Sequence, residues 1–367
     1  MNYIKPLDSL RAIAVFLVII WHWLEGSWIN TLPNGPIGVI IFFVLSGFLI
    51  TRILLEGRNK SEQFGASKMV FFKNFYIRRS LRIFPIYYML VGAIFIYTFL
   101  QHEGVSKFLY FFTYTSNYYF MKVQHWDKEL SHLWTLAVEE QFYLIWPLVI
   151  LTIPKRYLLP CIILFIAIGI ATQCIVGDAG FGMYATYTCF DSLGMGALLA
   201  WVTVYKPEYQ KKFCTITGII AIPLLLLVAF EILYLQYYIF PFRIKASFIG
   251  LFIVSYIVYT SYYRIKLPFI INQILNNSIL ASIGKISYGL YIYHILVSHL
   301  YKFKFLSFFY GNLPSFLKNQ MRYTFTINFL ILLIVSYLSW QLIEKPILRL
   351  KGYLEIKEKK KVTALAV

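Results

Sequence analysis

The sequence predicts an all-α protein, a polytopic bundle of transmembrane helices, and three observations carry that prediction. Apolar runs recur along the whole chain, each about 20 residues long, the length that crosses a hydrocarbon core. Only 14% of the 367 residues are charged and mean hydropathy is +0.67, whereas a soluble protein is about a quarter charged. The 34 lysines and arginines gather mostly in the short stretches between the runs.

Ten spans are read, at 9–28, 36–55, 83–101, 132–153, 158–176, 185–204, 214–234, 246–263, 279–300 and 323–344. Basic residues orient them in turn. Lys5 precedes the first span, and segment 52–82, after the second, holds eight. Lys155 and Arg156 follow the fourth, three basic residues in 206–212 follow the sixth, Arg264 and Lys266 follow the eighth, and seven in 345–361 follow the tenth. The alternate connections hold three in 107–128, Arg243 and Lys245, and four in 302–322. By the positive-inside rule this places both termini in the cytoplasm. The largest cytoplasmic connection is 56–82 and the largest external one is 102–131. Residues 1–350 form the transmembrane domain and 351–367 a basic cytoplasmic tail suited to anionic headgroups.

The net charge of +18 does not mark a nucleic-acid binder, because the basic residues sit in topogenic loops rather than on one face. Cys161, Cys174, Cys189 and Cys214 form no CxxC pair, so neither a disulfide framework nor a metal site is expected. The N-terminus has a signal-like apolar run without a small-residue cleavage site and is read as a retained first helix.

Ionisable residues inside apolar spans are costly and stand out as functional candidates. The first span carries three, Asp8, Arg11 and His22, in "LDSLRAIAVFLVIIWHW". Arg11 and His22 are eleven positions apart, so they share a face about 16 Å apart along the axis. Asp8 is one turn from Arg11 and can pair with it. His132 and Glu139 stand seven apart with Thr135 between them, and Glu140 points about 100° away. Ser287 and His294 repeat that spacing with Tyr291 on the same face, as do Tyr337 and Glu344. For these pairs a packing network is the alternative to substrate contact.

Six stretches taken in order resemble the membrane acyltransferase-3 family over almost the whole chain. "LDSLRAIAVFLVIIWH" is similar to its opening motif, a basic residue followed by a histidine. "GVIIFFVLSGFLIT", with Ser46 and Gly47, resembles its second-helix signature. "RRSLRIFPIYY" contains an RxxR element as Arg79 and Arg82. "HLWTLAVEEQFYLIWP" places Glu139 at the family's acidic position, with Thr135 where serine is frequent. "GKISYGLYIYH" and "IEKP" resemble the two closing signatures. In "TCFDSLGMGALLAW" the sequence departs from the pattern: Cys189 stands where relatives often have arginine, which removes a charge partner from Asp191. Gly194 and Gly196 there read as close-packing positions.

The resemblance implies transfer of an acyl group, commonly acetyl from acetyl-CoA as donor substrate, to a carbohydrate acceptor of the cell envelope. Lipopolysaccharide O-antigen, capsule, peptidoglycan, a lipid-linked oligosaccharide and a small glycoside are all open as acceptors. It implies a multi-pass protein of the bacterial cytoplasmic membrane with no bound cofactor and no metal. His22 is the candidate general base, since a neutral imidazole takes a proton at working pH; an acyl-histidine route stays open. Glu139 is the second catalytic candidate, orienting His22 or the acceptor, or else a structural ion-pair partner. Arg11, Arg79 and Arg82 are candidates for the acyl-CoA phosphates, with topogenic anchoring the alternative for the latter two. Asp8, Ser46, His132, Ser287, His294, Tyr337 and Glu344 are supporting candidates. The alternative from another class is a transporter or flippase of a glycan or acyl intermediate. The outer stretch "YFFTYTSNYYFMKVQHW" is an aromatic surface fit to grip a glycan.

Overall fold

The computed structural model describes residues 3–64, 67–127, 129–177, 180–235, 238–299 and 321–350. Among them every regular element is a helix. In chain order these are α1 (Lys5–Trp23), α2 (Asn34–Phe64), α3 (Lys68–Leu100), α4 (Phe108–Phe112), α5 (Ser116–Val123), α6 (Trp134–Thr152), α7 (Lys155–Val176), α8 (Phe190–Tyr205), α9 (Gln210–Phe230), α10 (Phe242–Tyr262), α11 (Phe269–Leu275), α12 (Ser278–Lys285), α13 (Ser287–Ser298), α14 (Met321–Ser339) and α15 (Lys345–Arg349). Short 3₁₀ turns and two π-helical turns, Glu231–Leu235 and Trp340–Glu344, join or extend them.

The protein is thus a multi-pass helical membrane protein. Among the described residues eight helices are long and apolar enough to cross a bilayer, nine if α12 and α13 count as one broken span. The remaining expected span is α6, a 19-residue helix. Glu139, Glu140 and Gln141 in its middle lower its hydropathy, so it is not among the eight. The expected basic tail, 351–367, and the loop 302–320 lie outside the described residues.

Two boundaries differ from expectation. The connection 56–82 is largely helical, because α2 and α3 run on past their apolar stretches; lysine and arginine are good helix formers and do not stop them. The ninth span divides at Ile286, and the Asn277 side chain caps the first piece by accepting from the Ile279 and Leu280 amides.

The chain forms two compact units. The first comprises Met1–Leu55, Tyr114–Trp126 and Trp134–Ser287; the second comprises Glu56–Thr113, Asp127–Leu133 and Tyr288–Val367. In the first unit α9 packs on α10, α1 on α12 and α7 on α8. Its core is built from aliphatic and phenylalanine side chains of α1, α2, α8 and α10, among them Leu10, Val44, Phe48, Leu199 and Val254. Helices α2 and α8 meet backbone to backbone: a β-carbon on Gly47 would strike the Leu193 carbonyl, and one on Gly196 the Val44 carbonyl. The packing role expected for Gly196 is therefore met. In the second unit α3 packs against α15 and the π turn that precedes it.

Candidate functional site

The two ends of α1 hold different chemistry. At its start Arg11 Nη1 donates to Asp8 Oδ1 at 2.9 Å, and the Tyr3 hydroxyl donates to Asp8 Oδ2 at 2.7 Å. The expected Asp8–Arg11 pair is formed, with Asp8 buried. Gly284 of α12 lies against the Asp8 backbone, closing this end. Arg11 already has a carboxylate partner, which sets its candidacy as a phosphate ligand against a structural pair.

His22, one residue before the end of α1, is exposed. Its Nδ1 lies 2.9 Å from the Val18 carbonyl oxygen. A carbonyl only accepts, so Nδ1 carries the hydrogen, and in the neutral ring Nε2 carries the lone pair. The bond fixes both the tautomer and the ring direction, the two things a general base needs set in advance.

Glu139 lies on the α6 face that meets α2. Ser46 Oγ donates to Glu139 Oε1 at 2.5 Å, and the Tyr143 hydroxyl donates to Ser46 Oγ at 3.0 Å. One turn further, Trp146 Nε1 donates to Thr51 Oγ1 at 2.7 Å. The i, i+4, i+7 spacing of Glu139, Tyr143 and Trp146 creates this polar seam. Ser46 and Glu139, named separately from the sequence, are one hydrogen-bonded unit, and Tyr143 is its unforeseen third member. Gln141, about 200° around the helix from Glu139, donates to the Tyr114 carbonyl at 2.7 Å and to Asn117 Oδ1 at 3.0 Å.

The charge partner that Cys189 seemed to remove from Asp191 is supplied from elsewhere. Arg243 of α10 donates to Cys189 Sγ at 2.9 Å and to the Met183 carbonyl, and interacts electrostatically with Asp191. Nearby, Lys245 Nζ donates to Glu231 Oε1 at 2.6 Å, with the two residues only 1% and 0% exposed. Arg243 and Lys245 were expected in an outer loop; both are instead buried in the first turn of α10. Their partners lie 54 and 14 positions away, and a local reading of charge does not find them.

In the second unit, Arg79 and Arg82 are half-buried on α3. Glu344, 4% exposed, interacts electrostatically with Arg82. Tyr337 is 54% exposed and does not share the face of Glu344: the π turn Trp340–Glu344 between them breaks the seven-residue register. His132 sits in the 3₁₀ turn Ser131–Leu133 before α6 begins, so the helical spacing linking it to Glu139 does not apply. His132 Nε2 instead lies 3.1 Å from the Ile292 carbonyl oxygen, and the Tyr291 hydroxyl donates to the His132 carbonyl at 2.9 Å. His294 Nδ1 lies 2.5 Å from the Tyr291 carbonyl oxygen, and the two imidazole centroids are 4.9 Å apart. Ser287 is buried at the first position of α13. Among the described residues no group of three or more His, Cys, Asp or Glu side chains is placed to hold a metal.

Fold and site together define a multi-pass helical membrane protein with ionisable groups set into its spans. Residues 4–344 match the acyltransferase domain model, and the chain belongs to that membrane acyltransferase family. It is 32% identical over 323 residues to the peptidoglycan O-acetyltransferase OatA of Listeria monocytogenes, covering 80% of this chain and 49% of that protein. It is 28% identical to the O-acetyltransferase OatA of Staphylococcus aureus (strain NCTC 8325 / PS 47), covering 96% of this chain and 58% of the relative. The chain spans about half the length of these curated relatives. No solved structure matches it.

Proposed function

We propose that this protein is an O-acetyltransferase of the bacterial cytoplasmic membrane that moves acetyl from cytoplasmic acetyl-CoA to a hydroxyl of a cell-envelope carbohydrate. The observation that carries the reading is the bond from His22 Nδ1 to the Val18 carbonyl, which leaves Nε2 as the basic nitrogen on an exposed ring. In the reaction Nε2 takes the proton of the acceptor hydroxyl as its oxygen attacks the thioester carbonyl. The new C–O bond forms, the C–S bond breaks, and the imidazolium returns the proton to the departing thiolate. Arg79 and Arg82, at the cytoplasmic mouth of α3 in the proposed orientation, bind the donor phosphates. Ser46 and Tyr143 hold Glu139, which orients the acceptor. Peptidoglycan is the first acceptor to test, since one relative is named for it.

Oriented vesicles test the reading by supplying acetyl-CoA and a peptidoglycan fragment on chosen sides. Acetylated product is expected when donor is inside and acceptor outside. Product formed only with both substrates inside would replace the through-membrane route with transfer to a cytosolic precursor.

A further inference from the structure

Within the first unit a row of aromatic rings runs from the surface toward Glu139. Trp126 is 41% exposed. Its ring centroid is 4.7 Å from that of Tyr184, which is 4.7 Å from Trp134, which is 6.1 Å from Phe43 of α2. Phe43 is one helical turn before Ser46, the residue bonded to Glu139.

The row is held firmly. Asn117 donates to Thr186 Oγ1 at 3.0 Å and to the Tyr184 carbonyl at 3.3 Å, Gln141 ties Asn117 to α6, and Arg243 grips the Met183 carbonyl. Helix α5 and the 3₁₀ turn that carries Tyr184 are thereby fixed to α6 and α10 before any ligand arrives.

Its polar atoms point to what it binds. Tryptophan and tyrosine each carry a donor beside the apolar ring, which Trp146 spends on Thr51. Trp126 is exposed and Trp134 and Tyr184 are half-buried, and Trp126 Nε1, Trp134 Nε1 and the Tyr184 hydroxyl make no hydrogen bond among the described residues. Burial pushes the Tyr184 phenol above its usual pKa, so it stays protonated and able to donate. A lipid chain satisfies ring faces but leaves three donors unpaired, and at the inner end it meets Ser46, Tyr143 and Glu139. A sugar ring satisfies both, with an apolar C–H face for stacking and hydroxyls for the donors.

We propose that Trp126, Tyr184 and Trp134 form a saccharide-binding row that leads the acceptor glycan to Glu139. The proposal rests on the acetyl-transfer reading for its occupant, but it is tested without turnover. The full chain in lipid nanodiscs is titrated calorimetrically with a β-1,4-linked N-acetylglucosamine tetrasaccharide, with no donor present. Trp126→Ala weakens binding about tenfold through loss of a stacked ring. Tyr184→Phe keeps the ring and the fold, removes one donor, and weakens binding about threefold to tenfold. Equal affinity in wild type and both variants overturns the row as a saccharide site, as does a wild-type protein that binds no tetrasaccharide. Variants that alter bilayer insertion but not affinity would assign the row to the membrane interface and overturn it too. A wild-type protein that binds sugar at the row but transfers no acetyl would sink the reaction and leave the row standing.

Discussion

His22 and the pair His132–His294 make the same kind of bond, a ring nitrogen to a backbone carbonyl, and differ in everything around it. His22 is exposed. His132 and His294 are 2% and 0% exposed, ring beside ring, with the Tyr291 hydroxyl closing over the His132 backbone. The bond sets tautomer and ring direction in each case, and by itself does not separate their roles. Access does, since a base must meet its substrate whereas a sealed imidazole serves to satisfy the backbone around it. The same division separates Lys245–Glu231, an ion pair shut away from solvent, from Arg79 and Arg82, which are half-buried.

The comparison is broken most directly at its open end. His22→Ala should lower the transfer rate about 10²- to 10⁴-fold, the usual contribution of a general base, with melting temperature and membrane insertion unchanged. Single-turnover assays on purified protein check this, and near-normal turnover would remove His22 from the mechanism.

At the sealed end the expected loss is in stability. Lys245→Met leaves the Glu231 carboxylate buried without its cation and should cost about 3–5 kcal/mol. The double variant Lys245→Met, Glu231→Leu should recover much of that, because two apolar side chains of similar volume replace the pair. Thermal unfolding in one detergent compares them. A double variant as unstable as the single would mean that the pair is needed as an ion pair.

Arg79 and Arg82 lie between the extremes. Arg79→Ala with Arg82→Ala should weaken acetyl-CoA binding about tenfold or more, as charge-assisted bonds to phosphate are lost, and lysine replacements should restore it only in part. Glu344→Gln provides the control, since it relieves Arg82 of its carboxylate without touching the donor. Donor affinity unchanged in the double variant returns both arginines to topogenic anchoring.

How far the sequence could be read follows from how local each feature is. The spans and the Asp8–Arg11 pair follow from periodicity and from charge within one helix; the exposure of His22 does not. Ser46 and Glu139 were each visible, but not their bond, which joins helices 93 positions apart. Tyr143 lay in plain view at four residues from Glu139; the signal was a hydroxyl on the carboxylate's own face. Arg243 and Lys245 read as loop cations because they precede the apolar run that begins at 246, and only distant partners draw them inside. Tyr337 was misplaced by a π turn, which no spacing rule anticipates. The 56–82 connection was misread because basic residues orient a chain without interrupting a helix.

The smallest effect on turnover, and the one that sharpens the comparison most, is at His294. His294→Ala removes a fully sealed ring that hydrogen-bonds the Tyr291 backbone and packs edge-on against His132. The expected cost is about 1–3 kcal/mol, that of a lost buried hydrogen bond and the ring's packing against His132. The surviving folded fraction should transfer acetyl at the wild-type rate per molecule. His294→Gln supplies a side-chain amide donor for the Tyr291 carbonyl and should return part of the stability, whereas His294→Leu fills the volume alone and should return less. Specific activity corrected for folded protein is the measurement that decides. If His294→Ala is as stable as wild type but inactive, the sealed imidazole takes part in the chemistry and access is the wrong criterion for telling these histidines apart.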